Sequence, residues 1–301
     1  MVNPTQEWPR YTTEKGICIN ADCERVIDEY LIPNYSGQIQ LILTSPPFPL
    51  KRAKKYGNKT GQEYLDWLCH IGNKLKPLLT EDGSIVIEIG NAWNPGEPTY
   101  STLPLETLIE FKKQCNLYLC QEFIYFNPAR LPGPIEWVNK QRVRVKDSFT
   151  QIWWMSKTPN PFADNNNVKE SYSKQMKKLI SSGKYNAGTR PSEHTISKTA
   201  FSVDNGGAIP SNVIIAANTA SKDPYLNKCK TYGLEIHPAR MAPAIPEFFI
   251  KFLSHEKDIV LDCFGGSNTT GAVAEKLNRQ WITIELDPIY YRGSQFRFED
   301  V

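Results

Sequence analysis

The stretch that decides the fold is Ile39-Gln40-Leu41-Ile42-Leu43-Thr44-Ser45-Pro46-Pro47-Phe48, an apolar run that stops at two consecutive prolines. Such a run predicts a buried β-strand. Because proline fixes φ and has no amide hydrogen to donate, the strand is expected to end in a stiff loop. This loop offers the Ser45 hydroxyl, backbone carbonyls and the aromatic face of Phe48. Together these groups are suited to holding a planar amine.

The sequence around this stretch alternates between strand-like and helix-like patterns. Strands are predicted over residues 16–22, 39–43, 84–90, 123–126 and 151–155, and helices over 63–79 and 102–115. Such alternation predicts a mostly parallel sheet with helices on both faces, the doubly wound, Rossmann-like α/β architecture.

The regular alternation is interrupted in one long segment. Between Thr158 and Tyr232, Asn-rich, Gly-rich and Ser-rich stretches break any periodicity, which is typical of loops. We therefore predict a large domain formed by residues 1–157 and 233–301, with a loop-rich insertion over 158–232.

Composition limits the possible functions. The 301 residues contain 35 Lys plus Arg and 32 Asp plus Glu, so a net charge of +3 requires any nucleic-acid surface to be a local patch. The seven cysteines include no CxxC pair, which argues against a zinc site or a disulfide framework. No signal-like start or apolar run of about 20 residues is present, and we expect a soluble, cytoplasmic protein with no metal and no membrane contact.

A second motif lies near the C-terminus. Gly265 and Gly266 separate a predicted strand over 258–264 from a helix over 269–277, and Glu285 ends the next strand about 20 residues later. At this spacing an acid meets a ribose diol in nucleotide-binding βαβ units. The pattern is not GxGxxG, which favours a cofactor with a ribose and an adenine but no pyrophosphate. An ordinary strand-turn-helix with an exposed acid is the alternative.

The two motifs in this order resemble the circularly permuted, beta-type amino DNA methyltransferases. Within that group the chain is most similar to the PvuII-type cytosine-N4-specific enzymes. Further matching segments span residues 134–140, 142–147, 237–240 and 246–250. The resemblance implies a methyltransferase sheet, S-adenosylmethionine as cofactor, and a target-recognition role for residues 158–232.

The resemblance also implies a set of cofactor-binding residues. Asp22 matches an acid that faces the adenine, and the segment from His237 matches one beside the methionine part. The complete set is Asp22, His237, Pro238, Ala239, Asp262, Phe264, Gly265, Gly266, Ser267, Asn268, Thr269 and Glu285.

The predicted catalytic residues are Ser45, Pro46, Pro47, Phe48 and Glu88. The Ser45 hydroxyl and the Pro46 carbonyl can accept hydrogen bonds from an exocyclic amine and stabilise the positive charge that develops during methylation. Phe48 would stack on a base that has been flipped out of the duplex. Glu88 ends a neighbouring strand, so it either orients or deprotonates the reacting group or is a salt-bridged acid.

Duplex DNA is therefore the predicted partner. Lys51 and Arg52 follow the Ser45 loop, and Lys140, Arg142 and Arg144 alternate with apolar residues. This alternation predicts a strand with charges on one face and with Val143 and Val145 packed inward, although charge runs are commonly just solvated faces. Arg190 is a candidate for reading base edges within the insertion.

The expected function is site-specific methylation of cytosine N4 in duplex DNA, within a restriction-modification system whose endonuclease acts on the same site. Methylation at ring carbon 5 would need a Pro-Cys pair, which the sequence lacks. Adenine N6 remains the alternative, although the family mostly has Asp or Asn where this chain has Ser45. A non-enzymatic DNA-binding module and a nicotinamide-dependent oxidoreductase are hypotheses from other classes.

Overall fold

The computed structural model describes residues 8–48, 59–183, 187–197, 203–218 and 223–299. The chain forms two compact units, one made of Met1–Ala163 and Asn212–Val301 and the other of Asp164–Ser211. The smaller unit is shorter than the predicted insertion at both ends. Residues 158–163 and 212–232 belong to the larger unit, where the helix Pro224–Thr231 packs against the helix Pro288–Ser294.

In the described ranges of the larger unit, nine strands form one sheet in the order β1-β2-β11-β10-β3-β4-β6-β5-β9. Their bounds are β1 Arg10–Thr12, β2 Gly16–Asn20, β3 Ile39–Thr44, β4 Leu79–Gly90, β5 Tyr118–Phe126, β6 Phe149–Ser156, β9 Val213–Ile215, β10 Ile259–Asp262 and β11 Gln280–Glu285. Strands β7 Gly188–Thr189 and β8 Thr195–Ile196 pair separately, in the smaller unit.

The centre of the large sheet is parallel, as predicted. Strands β2, β11, β10, β3 and β4 run in one direction, while β1 and β6 are antiparallel to their neighbours. From the adjacent pair β3 and β10, the chain proceeds toward β4 on one side and toward β11 on the other. A doubly wound sheet opens a crevice at such a switch point, beyond the carboxyl ends of the strands.

Helices cover both faces of this sheet. They are α1 Cys23–Val26, α2 Ile32–Tyr35, α3 Gly61–Leu75, α4 Leu103–Gln114, α6 Pro224–Thr231, α7 Ala244–Leu253, α8 Thr269–Lys276 and α9 Pro288–Ser294, with a π-helical turn Ile27–Leu31 between α1 and α2. Strand β3 is buried on both faces, and its alternating side chains contribute to two different cores. Ile42 packs into the core under α3 and α4, whereas Leu41 and Leu43 pack into the core under α7.

Two predictions of local structure were wrong. The helix predicted over 63–79 is too long at its C-terminal end. Helix α3 ends at Leu75, and a 3₁₀ turn Lys76–Leu78 leads into β4, which begins at Leu79. The basic segment 140–146 is not a strand. It lies in the connection between β5 and β6. Because these two strands pair directly with each other, the segment between them has no strand to pair with. Val143 and Val145 therefore point outward, exposed by 48% and 86%.

The smaller unit contains one α-helix, α5 Lys174–Ser182, and a 3₁₀ turn Asn165–Val168 among its described residues. The Ser173 hydroxyl accepts a hydrogen bond from the Met176 amide at its start, and Gly183 ends it with a left-handed φ of 61°. None of the helices in the described ranges combines the length and apolarity needed to cross a bilayer.

Candidate active site

A cavity of about 470 Å³ opens at the switch point of the sheet. Its walls come from the segments that follow β2, β3, β10 and β11, together with α3 and residues 237–241. The predicted residues that line it are Asp22, Ser45, Pro46, Pro47, Phe48, His237, Ala239, Asp262, Phe264, Gly265, Gly266, Ser267, Thr269 and Glu285. Two motifs separated by more than 200 residues of sequence thus meet at one site.

Glu285 lies at the carboxyl end of β11 and faces the glycine turn. Its Oε2 accepts a hydrogen bond from the Gly266 amide at 2.6 Å, and its Oε1 accepts one from the Asp287 amide at 2.8 Å. Gly266 adopts a φ of 53°, which a residue with a side chain rarely adopts, and this conformation belongs to the turn at the carboxylate. Burial raises the pKa of Glu285 to about 7.

Asp262 supports the turn from below. Its Oδ1 accepts hydrogen bonds from the Thr44 hydroxyl at 2.7 Å and the Phe264 amide at 3.0 Å, and its Oδ2 accepts one from the Thr270 hydroxyl at 2.7 Å. Burial raises the pKa of this carboxyl, whereas the three hydrogen bonds lower it. Asp262 therefore joins the end of β3 to the glycine turn, in addition to lining the cavity.

Two predicted cofactor residues stand apart from the cavity. Among the described residues that line it, neither Pro238 nor Asn268 is present. Asn268 instead begins α8, where its Oδ1 accepts a hydrogen bond from the Gly271 amide at 3.0 Å and its Nδ2 donates one to Tyr11 at 2.8 Å. Its side chain is 1% exposed, so its role in this structure is to cap the helix.

Asp22 and His237 lie on the cavity wall. The Asp22 carboxylate accepts hydrogen bonds from the amides of Glu24 and Arg25, at 3.0 and 3.2 Å, and so caps α1. The His237 ring packs edge-on against Tyr290, with 4.5 Å between the ring centroids. Tyr290 also lines the cavity, and the sequence motifs had not identified it.

Trp67 is a second cavity residue that the sequence motifs did not identify. It projects from α3, and its ring centroid lies 5.6 Å from that of Phe264. In the sequence it sits between Tyr64 and Leu68, within a helix-like pattern that indicates only a buried face. Packing of α3 against the sheet sets the rotation of the helix about its axis. This rotation, which the sequence pattern does not show, directs Trp67 toward the cavity.

Glu88 lies beside Ser45, at the end of β4. Its carboxylate accepts a hydrogen bond from the Thr150 hydroxyl at 2.9 Å, and the Ser45 hydroxyl lies near enough to lower the pKa of this carboxyl. Glu88 is 6% exposed and is absent from the described residues that line the cavity, so it contacts the site through Ser45. Burial raises its pKa to about 7, against the opposing effects of both hydroxyls and the charge of Arg130.

Phe48 is held against the last residue of β4. A Cβ atom at Gly90 would lie 2.4 and 2.5 Å from the Cδ2 and Cε2 atoms of the Phe48 ring. Since carbon atoms in contact are normally about 3.5–4.0 Å apart, only glycine allows this ring position. The close approach of Gly90 and Phe48 fixes one wall of the Ser45 loop.

The predicted DNA-binding residues fall in three places. Lys140, Arg142 and Arg144 are exposed in the connection between β5 and β6, at the same edge of the sheet as Ser45. Arg144 is held there because its Nε donates to the Pro98 carbonyl at 2.9 Å. Arg190 lies at the turn between β7 and β8 in the smaller unit. Lys51 and Arg52 lie outside the described residues.

Comparison with known proteins gives consistent matches along the chain. A family profile described as DNA methylase, N6_N4_Mtase, matches residues 39–296. The chain is 44% identical to the type II methyltransferase M.PvuII of Proteus hauseri over 294 residues, which cover 97% of this chain and 86% of that protein. It is 26% identical to the type II methyltransferase M.BglII of Bacillus subtilis over 266 residues, or 86% of this chain and 62% of that protein.

Solved structures with the same fold are also found. PvuII DNA methyltransferase (cytosine-N4-specific) superposes with a TM-score of 0.76 at 37% identity, over 96% of this chain and 88% of that one. An M1.HpyAVI-SAM complex superposes with a TM-score of 0.56 at 17% identity, over 94% and 98% of the two chains, a likeness of fold.

Proposed function

The chain belongs to the N6_N4_Mtase family of DNA methylases, and we propose that it methylates the exocyclic N4 of cytosine at a specific site in duplex DNA, with S-adenosylmethionine as methyl donor. The observation that carries this proposal is one cavity lined by both the Ser45-Pro46-Pro47-Phe48 loop and the glycine turn with Glu285. The 44% identity to M.PvuII, over nearly the whole chain, supports the choice of reaction.

The donor groups of the cavity fit S-adenosylmethionine. The Glu285 carboxylate accepts two amide hydrogen bonds and still has lone pairs for both ribose hydroxyls. Phe264 and Trp67 offer aromatic surface, and Asp22 faces the same space. When bound, the cofactor supplies an electrophilic methyl group on a sulfonium centre. The described part of the cavity wall has no GxGxxG turn of the kind that binds a pyrophosphate. The cavity therefore suits a ligand with a single nucleoside.

The Ser45 loop would act on the amine of the target base. The lone pair of a cytosine amine is delocalised into the ring, so acceptors for both N–H bonds favour the pyramidal, nucleophilic form. The Ser45 Oγ and the Pro46 carbonyl are these acceptors in our proposal. Phe48 stacks on the base, which must leave the duplex because N4 is inaccessible in a stacked helix.

Glu88 would accept the proton released by the reaction. In our proposal the Ser45 hydroxyl, which lies near the Glu88 carboxylate, donates to it and so leaves oxygen lone pairs for the amine. After methyl transfer the cationic amine gives a proton to the Ser45 oxygen while Ser45 gives its own to Glu88, so the serine ends unchanged. A pKa of about 7 allows Glu88 to accept that proton and release it near neutral pH.

Residues 158–232, which include the smaller unit Asp164–Ser211, are our candidate for target recognition. The relatives M.PvuII and M.BglII are named as type II methyltransferases. On that basis we propose that the chain is the modification enzyme of a restriction-modification system, with an endonuclease that cuts the same unmodified site.

The test uses labelled S-adenosylmethionine and duplex DNA, followed by digestion to nucleosides and chromatography. Label in N4-methylcytosine supports the proposal, and Ser45→Ala should abolish it while leaving cofactor affinity unchanged. Label only in N6-methyladenine would assign the adenine reaction instead. No label in DNA, with tight cofactor binding retained, would point to RNA or a small amine as substrate.

A further inference from the structure

We propose that Leu131 is the wedge that enters the DNA duplex and occupies the space left by the flipped base, an inference that rests on the proposed function. Leu131 is 83% exposed, which is unusual for a leucine. It lies in the Leu131-Pro132-Gly133-Pro134 segment between β5 and β6. Apolar side chains inserted between base steps are a general means of opening DNA.

The position of Leu131 relative to the active site follows from its neighbour Arg130. The charge of Arg130 acts on the Glu88 carboxyl, and its Nη1 donates to the Phe149 carbonyl at 3.2 Å, at the start of β6. Because β6 pairs with β4 along the strand that carries Glu88, Leu131 lies at the edge of the sheet where the Ser45 loop begins.

The segment is held on both sides of Leu131, as a wedge requires. On one side the Lys146 Nζ donates to the carbonyls of Pro128 and Arg130, at 3.1 and 3.3 Å. On the other side the Asp147 amide donates to the Gly133 carbonyl at 3.0 Å. Asp147 is in turn fixed by the Asn91 Nδ2, which donates to its carboxylate at 2.9 Å. Leu131 is therefore an exposed apolar tip on an anchored base.

The charge around this tip matches duplex DNA rather than an apolar protein partner. The same connection presents the exposed basic side chains of Lys140, Arg142, Arg144 and Lys146. Cations of this kind contact phosphates and fix the register of a protein on DNA. The connection also exposes Ile135, Val143 and Val145, and Leu131 is singled out among them because its neighbour Arg130 reaches toward Glu88.

The test compares two duplexes that contain the site methylated by this protein. In one the target cytosine is paired with guanine, and in the other it lies opposite an abasic position, so it flips without breaking a base pair. Single-turnover methylation rates are measured for the wild type and for Leu131→Ala, Leu131→Met and Ile109→Ala. Ile109 is also an exposed apolar residue, at 63%, but it lies on α4 and serves as the control.

We expect Leu131→Ala to lower the rate on the paired duplex by about tenfold or more and to have little effect on the abasic duplex. Leu131→Met and Ile109→Ala should stay within about twofold of the wild type on both. The proposal is overturned if Leu131→Ala lowers both rates by similar factors, or neither. A wild-type protein that methylates cytosine in neither duplex would overturn the proposed function instead.

Discussion

The contact between Gly90 and Phe48 gives a sharp prediction for Gly90→Ala. The added Cβ would lie 2.4 and 2.5 Å from two ring carbons of Phe48, so the ring must move by at least about 1 Å to restore normal contact. Phe48 is only half-buried and belongs to a loop, so it can move at less cost than the buried strand β4. The substitution should therefore displace the base-stacking ring more than it destabilises the fold.

The expected effect is on turnover. A displacement of about 1 Å of a group that positions the reacting base typically lowers the rate by about 100-fold. We expect kcat/KM for DNA to fall by this order, while the affinity for S-adenosylmethionine, measured by calorimetry, stays within about twofold. Overpacking typically costs about 1–3 kcal/mol, and we expect the loss of unfolding free energy to stay within this range.

A double-mutant cycle separates this mechanism from a general effect of the methyl group. If Gly90 acts only by making room for the ring, then Gly90→Ala should add little to the loss caused by Phe48→Ala. Fully additive losses, or a Gly90→Ala enzyme with wild-type kcat/KM, would refute the reasoning.

Three further predictions concern the carboxylates of Glu88, Glu285 and Asp262. We expect wild-type activity to decline below pH 7 as Glu88 is protonated; Glu88→Gln should lower kcat by about 100-fold or more and remove this decline when pH–rate profiles are measured. Because folding raises the pKa of Glu88 to about 7, the stability that protonated Glu88 contributes is lost as pH rises through 7. The variant should therefore melt no lower than wild type at pH 8. Glu285→Gln should weaken S-adenosylmethionine binding about tenfold to 100-fold. The affinity of the wild type, measured by calorimetry, should fall as Glu285 is protonated below pH 7. An affinity that does not change with pH would contradict this role. Asp262→Ala should cost at least about 3 kcal/mol in urea unfolding, because the hydroxyls of Thr44 and Thr270 lose a buried acceptor, and a loss below about 1 kcal/mol would show that Asp262 is not a support.

Much of the fold could be predicted because its signals are local. The β-branched and apolar runs of β3, β4, β10 and β11 indicate buried parallel strands, and their carboxyl ends must share one edge. This argument alone placed Glu88 near Ser45, and the structure places the Ser45 hydroxyl near enough to lower the pKa of Glu88. The role of each in the reaction remains a prediction.

The remaining features depend on packing between distant segments, which the sequence pattern does not encode. The alternation at 140–146 indicated a strand, but pairing of β5 with β6 leaves that segment in a loop. The rotation of α3 directs Trp67 toward Phe264, and a glycine at position 90 gives no sign that Phe48 will lie against it. Asn268 was assigned to the cofactor because it belongs to the glycine motif, yet its side chain caps α8.

The most direct test of the central claim is to sequence DNA from cells that express the chain, with a method that distinguishes N4-methylcytosine from N6-methyladenine. We predict N4-methylcytosine at one position of a single short recognition site, and none in cells that express Ser45→Ala at an equal level. Methylated adenine at that site, or unmodified DNA in cells that express the wild-type chain, would contradict the account.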